Sequence, residues 1–344
     1  MKALVWKNEE GLKLVERAEP QIINSSDIKI KIIYSGICGS DLQVLKKNQQ
    51  IVTDIIIGHE AVGEIVEVGK EVTEYRVGEK VIIDPNQYCC DCYYCRKGLT
   101  NFCEAGNGLQ IAGINIDGTF AEYFVCNQRY IYKIPESMSL KEAVLIEPLA
   151  CVINNIRAAK IKEDDNVLIL GSGPMGALCQ MVAKREARLV VATENSEYRR
   201  DVCAGFSDII LHSDELTMNK VNELTDNRKF DVIIDTVGNQ MEYALTVAGK
   251  NARIVPMGMN RKYNFPLSPY VLIDKGIQLI GASEYNMLFI DTIAAARRYS
   301  ELSKLITEEF SIDDYVPAFE SILGSTLDLA DKKDISNEKV VFSF

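Results

Sequence analysis

The chain has 344 residues, 47% hydrophobic and 25% charged, a globular composition and a length sufficient for two domains. Its 38 basic and 49 acidic residues give a net charge of −11, and so acidic a surface repels phosphate backbones, which argues against nucleic-acid binding. No apolar run approaches the roughly 20 residues that span a bilayer, and the amino terminus lacks a signal-peptide core, so we expect a cytoplasmic, reducing location without membrane attachment.

The first 130 residues are predicted to form mainly strands, because DIKIKIIYSG and GEIVEVG alternate apolar and polar side chains between glycines. From about residue 150, apolar strands alternate with helical segments, first in NVLILGSGPMGALCQMVAKREARLVVATE and then around FDVIIDTVG, ARIVPMGM and IQLIGAS. This alternation predicts a parallel sheet covered by helices on both faces. The segment NMLFIDTIAAARRYSELSKLI is predicted to be one helix, and EKVVFSF a closing strand.

Two short fragments of the first segment carry residues that could bind a catalytic metal. The fragment SGICGSD contains Cys38, and IIGHEAVGE contains His59 and Glu60. A thiolate, an imidazole and a carboxylate are ligands that a catalytic zinc uses while keeping a fourth position for water or substrate. Each fragment alone is more typical of a packed residue than of a ligand. The cysteine-rich stretch 30 residues downstream strengthens the metal interpretation.

That stretch, YCCDCYYCRKGLTNFC, places five cysteines within residues 88–103. A disulfide knot, a metal site and a redox pair are the possible explanations. A reducing location disfavours disulfides, and a redox pair needs two thiols rather than four. The spacing C-x2-C-x2-C-x7-C suits a structural zinc ion with four thiolate ligands, Cys89, Cys92, Cys95 and Cys103, in a lobe over about residues 86–104. Cys90 is left over, and its side chain should point away from the metal.

A dinucleotide-binding turn is predicted where NVLIL runs into GSGPMG. The G-x-G-x-x-G spacing follows a strand and opens a helix, which is the context that favours pyrophosphate binding by residues 171–176, namely Gly171, Gly173, Pro174, Met175 and Gly176. Glu194 ends the next strand, 18 residues after Gly176, where a carboxylate binds the ribose hydroxyls and repels a 2′-phosphate. Arg199 and Arg200 complicate this choice, since guanidinium groups could favour NADP.

With GICGSD, GHE, the four-cysteine lobe, IEPLA and GSGPMG in this order, the chain resembles the zinc-dependent medium-chain dehydrogenases along essentially its whole length. The similarity is greatest to the sorbitol, galactitol-phosphate and threonine dehydrogenase branch. It implies an α/β fold with a GroES-like β-rich catalytic domain over 1–152, an inserted Rossmann domain with a doubly wound parallel sheet over 153–285, and a return over 286–344. It also implies two zinc ions per chain, NAD, and a homodimer or homotetramer.

The resemblance assigns roles to individual residues. Cys38, His59 and Glu60 match the ligands of the catalytic zinc, and Glu147 in IEPLA matches a glutamate at or near that metal. The alternative for Glu147 is an acid at a helix start beside Pro148. Ser40 matches the hydroxyl that receives the alcohol proton, although a serine in a turn is also a common local cap.

Two further positions bear on cofactor choice and on the route of the proton. An arginine five residues after the acid, here Arg199, is common among the NAD users of the family. His212, the second of two histidines, is expected to be exposed at a strand end, so the proton should leave through water.

The implied reaction is hydride transfer between NAD and a secondary alcohol of a polyol, sugar alcohol or cyclitol. Alternatives are a sugar-phosphate or amino-alcohol substrate, or a non-catalytic relative acting as a binding or structural protein. A zinc-free quinone reductase is disfavoured by the retained metal ligands. Sorbitol-type enzymes have aromatic and histidine side chains after the GSD motif, whereas this chain has Leu42, Gln43 and Val44.

The strand that ends in GASEYN is expected to supply two substrate contacts. Positions that carry arginine and tyrosine in the sorbitol branch correspond to Glu284 and Tyr285. A carboxylate there would favour a neutral or amine-bearing substrate over a phosphorylated one. The alternative is that Glu284 faces solvent at a domain boundary and touches nothing.

Overall fold

The computed structural model describes residues 1–106, 108–323 and 336–344. Within them the strands are, in chain order, Lys2–Lys7 (β1), Gly11–Glu16 (β2), Asp27–Gly36 (β3), Ile55–Ile56 (β4), Glu60–Val68 (β5), Lys80–Ile83 (β6), Asn86–Gln87 (β7), Gln110–Ile111 (β8), Tyr123–Asn127 (β9), Ile131–Lys133 (β10), Asn166–Leu170 (β11), Leu189–Thr193 (β12), Ile209–Leu211 (β13), Phe230–Asp235 (β14), Ala248–Pro256 (β15), Gln278–Leu279 (β16), Ile306–Ser311 (β17) and Lys339–Ser343 (β18).

The α-helices of the same residues are Gly39–Leu45 (α1), Tyr93–Arg96 (α2), Leu140–Val144 (α3), Ile146–Ala159 (α4), Pro174–Ala183 (α5), Glu197–Val202 (α6), Met218–Leu224 (α7), Met241–Val247 (α8), Pro269–Lys275 (α9), Phe289–Ala296 (α10) and Tyr315–Leu323 (α11). Among the helices of the described ranges, none combines the length and the apolar character that a membrane crossing requires.

The described residues divide into two compact units. The first comprises residues up to 148, residues 286–323 and residues 339–344, and the second comprises residues 149–285 and 336–338. The first division falls inside α4, whereas the sequence analysis set it at 152/153. Residues 336–338 belong with the second unit, although the whole segment after 285 was expected to return to the first. Residues 324–335 of that return segment lie outside the described residues.

The first unit is built on a mostly antiparallel seven-stranded sheet in the order β10-β6-β5-β3-β18-β17, with β9 also pairing with β3. Alternate residues of β3, such as Ile28, Ile30 and Ile32, are fully buried, as the period-two pattern predicts. At the end of β3, Gly36 lies opposite Glu60, the first residue of β5. This register places the turn after β3 beside the turn before β5.

The second unit contains a six-stranded sheet in the order β13-β12-β11-β14-β15-β16, and all of its pairings are parallel. The middle residues of β11, Val167, Leu168 and Ile169, are fully buried because helices cover both faces. The predicted doubly wound sheet is confirmed. Its strand order reverses between β11 and β14, and ligands of such sheets bind in the crevice beyond the strand ends at this point.

One element of the sequence analysis was wrong: residues 286–306 do not form a single helix. Helix α10 ends at Ala296, a turn follows, and Leu302–Leu305 form a short 3-10 helix before β17. At about 100° per residue, a continuous helix would place Leu302 and Leu305 on the face opposite Phe289. All three side chains are buried, so the chain breaks the helix to turn them inward.

Phe342 of β18 offers a test of how the first unit is held together. Its ring is fully buried between those of Phe120 and Phe319, with centroids at 5.0 and 5.9 Å. We expect Phe342→Ala to lower the free energy of unfolding of this unit by about 3–5 kcal/mol, because it opens a cavity in the core. Urea denaturation measures the change, with Val77→Ala at an exposed position as the control. Equal stability of the two variants would contradict the packing described.

Candidate metal centres and dinucleotide loop

Cys38, His59 and Glu60 converge on one point of the first unit, where one ligand atom from each lies within 4.8 Å of the others. Cys38 follows β3 and precedes α1, and His59 immediately precedes β5. The three meet because β3 and β5 are neighbouring antiparallel strands with Gly36 opposite Glu60. His59 and Glu60 are buried, and Cys38 is partly exposed. The donor set is a soft thiol, an imidazole and a carboxylate, which together suit zinc.

Asp41 supports this cluster, and the sequence analysis assigned it no role. Its carboxylate accepts a hydrogen bond from the Cys38 backbone N–H at 2.9 Å, and its other oxygen lies 3.8 Å from His59 Nδ1. It therefore fixes the turn that carries Cys38 and faces the ring nitrogen that points toward it. The C-x-x-D spacing at the start of α1 is a capping-box pattern that could have identified Asp41.

The electrostatic surroundings of His59 favour positive charge. Burial alone would lower its pKa, but the neighbouring Cys38, Asp41 and Glu147 charges together raise the pKa well above its usual value. Burial also raises the pKa of Asp41, against the opposing effect of His59. A buried pocket of this polarity is suited to a bound cation.

Ser40, in the first turn of α1, is also buried at this centre. Its hydroxyl oxygen lies 3.3 Å from His59 Nε2. The serine thus lies beside the metal-ligand group rather than capping the backbone of its own turn.

Glu60 is paired with a lysine that the sequence analysis did not single out. Its carboxylate forms an ion pair with the ammonium group of Lys339, the first residue of β18, and both side chains are buried. Burial would lower the pKa of Lys339, but the Glu60 and Cys38 charges raise it overall. The pair explains Gly36, because a Cβ there would collide with the Glu60 carboxylate and lie 3.0 Å from the Lys339 side chain.

Glu147 is the second residue of α4, so it occupies both of the positions considered for it: a helix start and the vicinity of the metal cluster. Its side chain is buried, and its charge raises the pKa of His59 and of Lys339. The group of ligand atoms within 4.8 Å comprises Cys38, His59 and Glu60 and leaves Glu147 outside. Glu147 is therefore an electrostatic neighbour of the cluster.

The four spaced cysteines form the second candidate metal centre. One sulfur from each of Cys89, Cys92, Cys95 and Cys103 lies within 4.8 Å of the others. The backbone N–H groups of Asp91 and Cys92 donate to Cys89 Sγ at 3.3 and 3.2 Å. This closed set of four sulfurs has the chemistry of a structural zinc site.

Backbone donors also act on the pKa values of these thiols. They lower the pKa of Cys89 and lower that of Cys92 to about 6, with the N–H groups of Cys95 and Glu104 acting on the latter. Burial raises the pKa of Cys95 to about 12, so its ionisation needs a cation beside it. Cys90 is exposed outside the group, and its sulfur accepts a hydrogen bond from Arg129 at 3.3 Å.

The glycine loop of the second unit follows β11, at the reversal point of the sheet. Gly171 has φ of +92°, and a Cβ on Gly176 would collide with the Gly171 carbonyl oxygen, so both positions require glycine. Helix α5 begins at Pro174 and lacks a side-chain cap, which leaves its first N–H groups for a phosphate. The cradle fits a pyrophosphate.

Glu194 lies beside this loop at the end of β12. Its carboxylate accepts hydrogen bonds from the backbone N–H groups of Ser172, Asn195 and Ser196 at 2.9, 2.9 and 3.0 Å. These bonds fix the carboxylate at the loop. Arg199 lies there too, because a Cβ on Gly173 would be 3.1 Å from its Nη1.

The remaining predicted positions, His212, Glu284 and Tyr285, belong to the second unit. His212 follows β13, is partly exposed and accepts a hydrogen bond from the Asp214 N–H at 3.3 Å. Glu284 is half-buried and Tyr285 is buried, and both lie at the end of residues 149–285 of the second unit. The side-chain amide of Asn154 donates a hydrogen bond to the backbone carbonyl oxygen of Glu284 at 3.0 Å. This hydrogen bond involves the backbone of Glu284, and the role of its side chain toward a substrate stays a prediction.

Two family models match the chain: the alcohol dehydrogenase GroES-like domain over residues 24–136 and the zinc-binding dehydrogenase over residues 174–306. L-threonine 3-dehydrogenase of Salmonella gallinarum (strain 287/91 / NCTC 13346) is 30% identical over 334 residues, which cover 94% of this chain and 96% of that protein. The chain belongs to the zinc-binding alcohol dehydrogenase family. The predicted GroES-like and Rossmann architecture and the medium-chain dehydrogenase assignment are confirmed.

Other family members match over similar lengths. Sorbitol dehydrogenase of Bacillus subtilis (strain 168) is 28% identical over 333 residues, 94% of each chain. A crystal structure of a short chain alcohol dehydrogenase from E. coli CFT073 complexed with the cofactor NADH has a TM-score of 0.88 and 26% identity, covering 100% of this chain and 99% of that one. The family is thus confirmed across the whole chain, while its members differ in substrate.

The buried Glu60–Lys339 pair can be tested by its contribution to stability. We expect Lys339→Met to lower the free energy of unfolding by about 3–5 kcal/mol, because it leaves a buried carboxylate without its cation. The double variant Glu60→Gln with Lys339→Met should recover much of the loss. Lys304→Met is the control, since its ion pair with Glu301 is largely exposed and should contribute less than about 1 kcal/mol. Similar urea midpoints for Lys339→Met and Lys304→Met would contradict the pairing.

Proposed function

We propose that the protein is a zinc-dependent, NAD-dependent dehydrogenase that oxidises a secondary alcohol of a polyol, sugar alcohol or cyclitol, including amine-bearing ones. The observation that carries the proposal is the buried cluster of Cys38, His59 and Glu60 with the Ser40 hydroxyl beside it. Its three potential ligands and adjacent hydroxyl are what metal-assisted alcohol oxidation needs. A relative that acts only as a binding or structural protein would not need these potential ligands, so the cluster does not favour the non-catalytic alternative.

The residues present fit a zinc ion, since a thiol, an imidazole and a carboxylate converge in a buried pocket that favours positive charge. Cys38, His59 and Glu60 would hold the metal. When bound, a zinc ion there would polarise the alcohol oxygen, and NAD would serve as the acceptor of the hydride from the alcohol carbon.

The protein's own groups would handle the proton. Ser40, whose hydroxyl lies 3.3 Å from His59 Nε2, would accept the proton that leaves the alcohol oxygen and pass it to water, so that the alcohol becomes a ketone by loss of one hydride and one proton. Asp41 faces His59 Nδ1 at 3.8 Å and would stabilise positive charge on the ring, and Lys339 offsets the charge of Glu60. Without this lysine, the Cys38 thiolate and the carboxylates of Glu60 and Glu147 would together carry more negative charge than a divalent ion neutralises.

We propose NAD rather than NADP as the cofactor. The glycine cradle provides a site for the pyrophosphate, and Glu194 is fixed beside it by three backbone hydrogen bonds. A carboxylate at this position can accept hydrogen bonds from ribose hydroxyls and repels a 2′-phosphate.

All ten cysteines are without disulfide bonds, which supports our proposal of a reducing, cytoplasmic location.

The two metal centres should separate functionally. We expect Cys38→Ala and His59→Ala to abolish turnover while each variant keeps its fold and one zinc per chain. Cys92→Ser should instead lower the unfolding midpoint, because a structural zinc site contributes folding free energy directly. Metal analysis of purified protein, circular dichroism and NAD⁺ reduction are the three measurements. Full activity of Cys38→Ala, or less than one zinc in the wild type, would overturn this assignment.

The substrate class can be found by screening NAD⁺ reduction across neutral polyols, cyclitols, amino alcohols and sugar phosphates, with and without a chelator. The Glu147 charge acts on the cluster, where the Glu60 charge is paired with Lys339, and we propose that Glu284 contacts the substrate, so we expect neutral or amine-bearing alcohols to be preferred. Glu284→Gln should raise KM most for an amine-bearing substrate and modestly for a neutral one. Glu223→Gln, an equal charge change on the exposed face of α7, is the control. A sugar phosphate as best substrate would refute the charge argument.

A further inference from the structure

Arg199, the arginine nearest the glycine loop, is already paired with an acid of the same unit. Its Nε lies 3.1 Å from the Glu338 carboxylate and donates a hydrogen bond to the Asn337 carbonyl oxygen at 3.2 Å. The Glu338 side chain is completely buried, and that of Arg199 is 15% exposed. In such a buried position the two charges are weakly screened, so Glu338 largely neutralises the guanidinium.

The pair lies beside the loop that we assign to the pyrophosphate of a dinucleotide. Arg199 Nη1 would be 3.1 Å from a Cβ on Gly173, and Gly173 is the residue before the first turn of α5. The buried thiol of Cys203 donates a hydrogen bond to the carbonyl oxygen of Ser172 in the loop at 3.6 Å. Its pKa is raised by burial first and then by the charges of Glu338 and Glu194, so both carboxylates act on this side chain.

The second arginine of this region is also engaged. Arg200 Nη1 donates hydrogen bonds to the carbonyl oxygens of Glu194 and Asn195, each at 2.8 Å. These two groups secure the turn that carries the acid. If Glu338 were neutral, the charge of the Arg199 guanidinium would therefore be left beside the loop, where it could attract a phosphate.

We propose that Glu338 is a specificity-determining residue: by pairing with Arg199 it prevents that arginine from attracting a 2′-phosphate, and so favours NAD over NADP. The proposal rests on the NAD-dependent function given above. With Glu338 charged, Glu194 and Glu338 balance Arg199 and Arg200, and a doubly negative 2′-phosphate gains no net attraction. With Glu338 neutral, Arg199 becomes an available charge-assisted donor, which is the group that phosphates prefer.

The test is the affinity of Glu338→Gln for NADH and NADPH, measured as dissociation constants by nicotinamide fluorescence and by calorimetry without a substrate. We expect NADPH to bind roughly tenfold more tightly than to the wild type, as for one added contact to a charged group, and NADH to change by less than about twofold. Adding Arg199→Gln to Glu338→Gln should abolish the gain. Glu223→Gln has the same change in net charge at an exposed position of α7 and should leave both constants unchanged.

The possible outcomes separate the two proposals. A wild type that binds neither dinucleotide would refute the proposed function itself. A wild type that prefers NADH, with a Glu338→Gln variant whose ratio of constants is unchanged, would refute only the role of Glu338. An equal gain for NADH and NADPH would also refute it, because Arg199 would then act on the shared pyrophosphate. If Glu338→Gln fails to fold, Glu338→Met fills the same volume without a charge and has the same expected outcome.

Discussion

The candidate catalytic centre depends on the antiparallel register of β3 and β5. Because Gly36 lies opposite Glu60, the turn after β3 and the turn before β5 bring a thiol and an imidazole beside a carboxylate. A shift by one residue would turn Glu60 to the other face of the sheet. The hydrogen bonds between β3 and β5 therefore hold the potential ligands in position without a metal. A site whose ligands are already in position does not have to rearrange when the metal binds.

Two adjacent residues at the start of the last strand, Glu338 just before it and Lys339 within it, supply charge compensation to the two units. Lys339 neutralises Glu60 in the first unit, and its neighbour Glu338 neutralises Arg199 in the second. A buried charge without a partner is costly, so each pair constrains where the end of the chain must lie. Two adjacent residues thus contribute to the metal centre and to the dinucleotide loop, and neither is one of the direct ligands assigned there.

The parts of the molecule that the sequence predicted well are those with local patterns. The four cysteines have the spacing of ligands around one metal ion, and the glycines have the spacing of a turn that binds a pyrophosphate. The strands show alternation of apolar and polar side chains. Glu338 and Lys339 were missed because EKVVFSF has only the pattern of a strand, and their partners lie more than a hundred residues away. The prediction of a single helix over 286–306 was wrong for a related reason: burial of Leu302 and Leu305 within the first unit outweighed local helical preference.

The central claim, that one chain holds a catalytic metal at Cys38, His59 and Glu60 and a structural metal among four cysteines, is tested most directly by X-ray diffraction at the zinc absorption edge. Crystals of the purified protein should give two anomalous peaks per chain, one between the Cys38 sulfur and the His59 ring and one within the cysteine lobe. The lobe peak alone, or a metal bound elsewhere in the chain, would contradict the assignment of the catalytic centre.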